Sequence, residues 1–217
     1  MKKPALVLVG AGGHAKVLAD IIRLDGRYDL VGAVDPAAPR TAIPGCRVLG
    51  GDELLPRLFR RGIRHAAVGV GSIKDTAPRL SLATRLRRLG FKLPALVHPG
   101  AVISDQARLG EGSQVMAGAI VNPGAVVGRD CVVNTAAVIE HDCVLGEGVF
   151  IGPGALLSGG VIVDDGAFIG IGAVLLQGKH VGRRALVAAG AVVTRDIPAG
   201  KTAVGVPARI PRRARPA

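Results

Sequence analysis

The chain has 217 residues and carries 28 Lys+Arg against 16 Asp+Glu, a formal net charge of +12. Hydrophobic residues make up 49% but aromatics only 2%, which excludes a disordered chain and a base-stacking platform for single-stranded nucleic acid. No uncharged apolar run reaches the ~18 residues of a membrane span, and 32 Gly, about twice the usual share of ~7%, imply a narrow, repetitive interior.

Ala5-Leu6-Val7-Leu8-Val9 reads as a buried strand. Its basic-then-apolar start breaks into a Gly loop with no A-x-A-like cleavage site, so it is not read as a leader. Gly10-Ala11-Gly12-Gly13-His14-Ala15 follows, then an amphipathic helix through Val17, Leu18, Ile21 and Ile22. A second strand, Leu30–Val34, ends at Asp35. A helix near 52–61, a strand at 65–71 and a helix from about 75 to 89 complete a small α/β domain over 1–96. Gly10, Gly12 and Ala15 fit G-x-G-x-x-G/A after a strand, the pattern that lets backbone and helix start approach a phosphate. Asp35 is placed to accept hydrogen bonds from a ribose or a base. Only about four strands fit, half of a dinucleotide-binding sheet, so a mononucleotide or a sugar attached to one suits the domain better. A tight strand–helix turn without a ligand is the alternative.

From Val97 to Val193 an aliphatic residue recurs every six positions, giving 17 hexads without an insertion. Four places after most of them comes a small residue, as at Ala101, Ala119, Ala137 and Ala155, commonly preceded by Gly. Neither a helix period nor a strand period generates a strict six; a β-solenoid with three hexads per triangular coil does. Lys179 occupies a slot that is otherwise small. Thr135 is the sole Thr in the repeat before Thr194, which leaves no flat Thr array of the ice-binding kind. We place the solenoid at 97–198 and a basic C-terminal extension at 199–217. Its Arg209, Arg212, Arg213 and Arg215 read as a solvated end. The amino-terminal 96 residues are strongly basic and the repeat is weakly acidic, a contrast that fits phosphorylated small molecules as well as nucleic acid. Cys46, Cys131 and Cys143, an odd number, read as free thiols in a reducing cytoplasm.

No pair among the five His has metal-ligand spacing with a third partner, so no metal site is expected. His141, between Glu140 and Asp142, falls at an outward corner of the repeat with a carboxylate on either side.

Three segments in order, Gly-Ala-Gly-Gly-His-Ala-Lys at 10–16, Asn-Thr-x-x-x-x-x-His-Asp at 134–142 and Gly-Val-Pro-Ala-Arg at 205–209, resemble one bacterial family. It comprises the hexapeptide-repeat sugar acetyltransferases: the sialic acid O-acetyltransferases and the nucleotide-aminosugar N-acetyltransferases. The stretch 115–143 looks most like the GDP-perosamine and UDP-4-amino-sugar branch. The resemblance implies a Rossmann-like α/β domain followed by a left-handed parallel β-helix. It further implies a cytoplasmic homotrimer with acetyl-CoA as co-substrate, sites between subunits and a role in surface glycan synthesis. The acceptor would be the amine of a nucleotide-linked aminosugar; the alternative within the family is a sugar hydroxyl. His141 would be the general base, with Asp142, or else Glu140, orienting it. Gly12, Gly13, His14, Asp35 and Gly71 would hold the nucleotide sugar, and Gly159 would lie beside the sugar. Ile171 and Ala189 would offer backbone groups to the pantetheine arm. Phe150 stands where the family has a second His that contacts acetyl-CoA. Backbone N–H groups near Gly152 would serve the oxyanion, and Arg183, Arg184, Lys201 and Arg209 are candidates for CoA phosphates or simply solvated charges.

Overall fold

The computed structural model describes residues 3–40, 42–72 and 74–211; Arg212, Arg213 and Arg215 of the tail lie outside them. The amino-terminal domain runs β1 (Ala5–Val9), α1 (Gly13–Asp25), β2 (Asp29–Val34), β3 (Val48–Gly50), α2 (Leu55–Arg60), β4 (His65–Val68) and α3 (Ala77–Arg88). Its four strands are parallel, in the order β3-β2-β1-β4. The apolar run of β1 is central, so it is buried on both faces, as parallel strands require. Ala15, the third small residue of the glycine pattern, is fully buried. A Cβ built at Gly69, after β4, would come within 2.8 Å of the Ala15 Cβ, so a larger residue at either place would push α1 off the sheet.

From Leu96 onward the chain is a triangular β-helix. Two-residue strands recur every six positions from Leu96–Val97 to Val192–Val193. They stack into three parallel sheets, one per face. The first face includes Gln114–Val115, Val132–Val133, Phe150–Ile151 and Phe168–Ile169; the second includes Val138–Ile139 and Leu156–Leu157; the third includes Val126–Val127, Val144–Leu145 and Ile162–Val163. The second residue of each strand points inward, and Val115 through Val193 form one continuous core with Ala119, Ala125, Ala137 and Ala155 at its corners. From Gly112 to Gly190 the residue before the small corner residue has a positive φ, near +65° at Gly118, Gly148 and Gly160. That left-handed conformation is open to Gly without a Cβ penalty, which is why the repeat carries Gly there. Asp130, Ala136, Asp142 and Arg184 adopt it as non-glycine residues.

Residues 199–211, the described part of the 199–217 extension, continue the solenoid. Ile197 bridges to Val181, and Thr202–Ala203 joins the first face beside Leu186–Val187. Ala208 donates its N–H to the Val192 carbonyl. This last coil advances 16 residues where the others advance 18, so it escapes the hexad pattern.

The two domains share one core. Leu18, Ile21 and Ile22 of the α/β domain cluster with Leu96, Met116, Val132 and Phe150 of the first face. Arg79 of α3 is buried and donates to the Asp130 carbonyl, while Arg87 forms a two-pronged pair with the Asp130 carboxylate at 2.6 and 2.9 Å. Burial pulls the Arg79 guanidinium down to about 10, against the opposing attraction of Asp130.

Candidate functional site

The residues singled out from sequence separate into three places. The first is the end of the parallel sheet around the start of α1. Gly10 has φ +104° and turns the chain out of β1. A Cβ at Gly12 or Gly13 would meet nothing within 4 Å, so open space lies over the helix N-terminus, where unpaired N–H groups and the helix dipole favour an anion. Asp35 closes the loop: its Oδ2 accepts from Ala11 N–H at 2.8 Å and its Oδ1 from the Ala37 and Ala38 N–H groups. Next to it a cavity of about 240 Å³ is lined by Gly10, Asp35, Asp52, Val70 and Leu82. Gly71 lies against His14, with a built Cβ 3.5 Å from the His14 Cβ.

His14 itself is held from the solenoid side. Its Nε2 pairs with Gln114 Oε1 at 2.7 Å, and Gln114 Nε2 donates to the Val68 carbonyl at 2.9 Å. The amide of Gln114 therefore presents its oxygen, which fixes the proton on His14 Nε2. Burial, with a smaller push from Arg79, lowers the His14 pKa and keeps the ring neutral. Gln114 is buried and 100 residues away in sequence; nothing in the hexad pattern distinguishes it beyond being polar at an outward position of the first face.

The second place is the corner between the second and third faces. His141 and Asp142 sit there, both exposed, with His141 Nδ1 2.9 Å from Asp142 Oδ2. Asp142 has φ +59° and this bends its carboxylate back to the ring, over Gly124. A Cβ at Gly124 would stand 2.5 Å from Asp142 Oδ1. Glu140 turns elsewhere and accepts from Asn122 Nδ2 at 3.0 Å, so the carboxylate paired with the ring is that of Asp142. With Nδ1–H donated to Asp142, Nε2 carries the free lone pair. Gly159, one coil on, leaves room for the ring: a Cβ there would lie 2.5 Å from both Nε2 and Cε1 of His141.

The third place is the corner between the first and second faces. Ile171 and Ala189 stack there one coil apart, both exposed, with the Ile171 carbonyl accepting from Gly190 N–H at 2.8 Å. Gly152 lies at the same corner, and its N–H donates to the Ile169 carbonyl at 2.8 Å. The coil thus uses the N–H of Gly152 itself. Phe150 faces outward from the first face, is buried, and stacks on Phe168 with ring centres 4.6 Å apart and planes parallel within 2°. It belongs to the core between the domains.

Within one chain these places do not meet. The glycine loop is docked on the first face through Gln114, and His141 projects from the corner opposite that face. Sequence reasoning missed Gln114, Arg79 and Asp130, whose partners lie far along the chain.

Residues 5–86 match the family model for the PglD N-terminal domain, and residues 124–159 match the bacterial transferase hexapeptide model. Among curated proteins, none matches the sequence. Among solved structures, PerB from Caulobacter crescentus, in complex with CoA and GDP-perosamine, is 40% identical with a TM-score of 0.89. The match covers 96% of this chain and 97% of that one. Structures of the H141N and H141A mutants of that perosamine N-acetyltransferase, in its own numbering, also hold CoA and GDP-perosamine. The acetyltransferase domain of PglB from Neisseria gonorrhoeae is 37% identical with a TM-score of 0.90, covering 96% of this chain and all of that one. The chain belongs to the bacterial hexapeptide-repeat sugar N-acetyltransferases, built as a PglD-type α/β domain on a left-handed β-helix.

Proposed function

We propose that this protein transfers acetyl from acetyl-CoA to the amine of a nucleotide-linked 4-amino sugar, in the cytoplasm and in the service of surface glycan synthesis. The observation that carries the reading is the pairing of an exposed His141–Asp142 dyad, clear on its Nε2 side, with an open helix N-terminus fit for a nucleotide. The similarity to PerB with CoA and GDP-perosamine supports it.

The chemistry follows from the dyad. Asp142 holds His141 in the tautomer whose Nε2 accepts a proton. As the sugar amine attacks the thioester carbonyl, Nε2 takes the proton the amine sheds. Asp142 stabilises the imidazolium that forms. The tetrahedral intermediate collapses with loss of the CoA thiolate, which takes that proton back and leaves as the thiol. Gly12, Gly13, His14, Asp35 and Gly71 hold the nucleotide sugar, Gly159 clears space beside the sugar, and Ile171 and Ala189 offer backbone groups to the pantetheine arm.

The active assembly is a homotrimer in which one protomer's His141 corner meets the neighbour's glycine loop. Val126, Val144 and Ile162 form an exposed apolar column on the third face, and Val102 and Leu156 are exposed on the second. Two different apolar faces on one chain suit a heterologous contact that closes as a ring.

The test is acetyl transfer from acetyl-CoA to GDP-perosamine and to a UDP-4-amino sugar, with calorimetric titration by GDP and UDP alone. The account expects turnover of one amino sugar and binding of its parent nucleotide. Binding of CoA but of neither nucleotide, with acetylation of a sugar hydroxyl, would replace it.

A further inference from the structure

A groove of about 630 Å³ lies between α3 and the corner joining the third and first faces. This corner is neither the one that carries His141 nor the one that carries Ile171 and Ala189. Five arginines line it, Arg87 and Arg88 from α3 and Arg129, Arg183 and Arg184 from the solenoid, together with Asp130, Glu147 and Asp165.

Pairing leaves the groove positive. Arg87 is committed to Asp130, and Arg183 to Asp165 at 3.0 Å. Arg88, Arg129 and Arg184 make no ion pair among the described residues, and Glu147 is the one unpaired carboxylate lining the groove, with Glu111 acting on Arg87 from outside it. Three free guanidiniums against one carboxylate call for an anion of about two charges, the charge of a phosphoryl group near neutral pH. The volume is that of a small-molecule site, ~300–1,000 Å³.

Arg184 supplies a second observation. It holds φ +52° at a corner position where the coils above it place Gly148 and Gly166, both near +65°. Its stem lies over Gly166, whose built Cβ would stand 3.4 Å from Arg184 Cγ and 3.5 Å from Thr76 Oγ1. A side chain that costs backbone strain, and returns no ion pair within the fold, is aimed toward α3 and the groove. Guanidinium forks match phosphate oxygens in pairs, and here they come from both domains, so a bound anion bridges them.

We propose that this groove, formed jointly by α3 and the solenoid corner, binds a phosphoryl group of a small ligand. Two sources share that chemistry, the nucleotide end of CoA and a free nucleotide or pyrophosphate.

The probes are inorganic pyrophosphate and adenosine 3′,5′-bisphosphate, titrated calorimetrically into the full-length protein and into Arg129→Gln and Arg184→Gly. The wild type is expected to bind pyrophosphate, and each variant to bind it at least ~10-fold more weakly, as loss of a charge-assisted contact implies. Arg184→Gly also relieves the positive φ, so its Tm is expected to rise by roughly 2–4 °C; weaker binding in a more stable protein excludes misfolding as the cause. A KM for acetyl-CoA that rises in parallel assigns the groove to CoA, and an unchanged KM assigns it to a separate phosphorylated ligand. Equal pyrophosphate binding by wild type and both variants, or none in the millimolar range, overturns the proposal.

Discussion

At the His141 corner three residues act as one unit, and each makes a distinct demand. His141→Ala removes the proton acceptor and is expected to lower kcat by ~10²–10⁴-fold, with Tm unchanged because the side chain is exposed. Gly159→Ala is the sharper test. Its backbone is ordinary, so the Cβ introduces no strain of its own, yet it would stand 2.5 Å from His141 Nε2. The ring must move by about an ångström, which costs ~10²-fold in kcat, while binding of the parent nucleotide, held by another element, stays near its wild-type value. Steady-state kinetics, nucleotide titration and a thermal melt check both. The sequence names His141 and leaves Asp142 and Glu140 open; the positive φ of Asp142 decides between them, and no pattern of residue types carries that. For the same reason only the coil's hydrogen-bond ladder shows that the N–H of Gly152 itself is already donated. Phe150 lies in the core between the domains because its outward position on the first face is covered by the α/β domain.

Among elements, the coils are the most legible part of the chain. A strict six-residue period has one good structural answer, and the left-handed corner turn explains the Gly before each small residue. The interior is narrow and fully packed, so Ile139→Ala, at 0% exposure, is expected to cost about 3 kcal/mol, measured by urea unfolding. The last coil, two residues short, and the docking of α3 are the illegible parts. Asp130 looks like any corner residue until Arg79 and Arg87 arrive from 51 and 43 residues away. Asp130→Asn keeps a residue that tolerates positive φ and the carbonyl that Arg79 uses, but takes the anion from the half-buried Arg87 guanidinium, a loss of about 2 kcal/mol. Two histidines of the α/β domain give a pH test. Burial lowers the pKa of both His14 and His65 from 6.5. The unfolded chain therefore takes up protons first, and stability that is fully present above 6.5 is lost as pH falls through the lowered folded values. Denaturant melts between pH 8 and 5 are expected to show that decline, with a shallower slope in His14→Gln, in which only His65 remains.

For the whole molecule, the division into a basic α/β domain and a weakly acidic repeat is readable from charge and period. Which face of the prism the domain covers is not, because Gln114, Asp130 and the apolar contacts between the domains fix it across long sequence separations. That choice of face has the largest functional consequence. It puts the glycine loop on the first face and His141 at the opposite corner, so the account requires a neighbour. Replacing Val144 and Ile162 with Asp on the exposed third face is expected to give monomers by light scattering, with unchanged circular dichroism and no acetyl transfer. The most direct measurement mixes two inactive proteins. His141→Ala lacks the base, and Gly12→Val fills the open space over the loop while leaving the dyad intact. If each site takes His141 from one protomer and the loop from the next, random co-assembly restores roughly a quarter of wild-type activity, as heterologous ring geometry dictates. Activity that stays at the level of the separate variants, in mixed trimers verified by mass, would contradict the shared site.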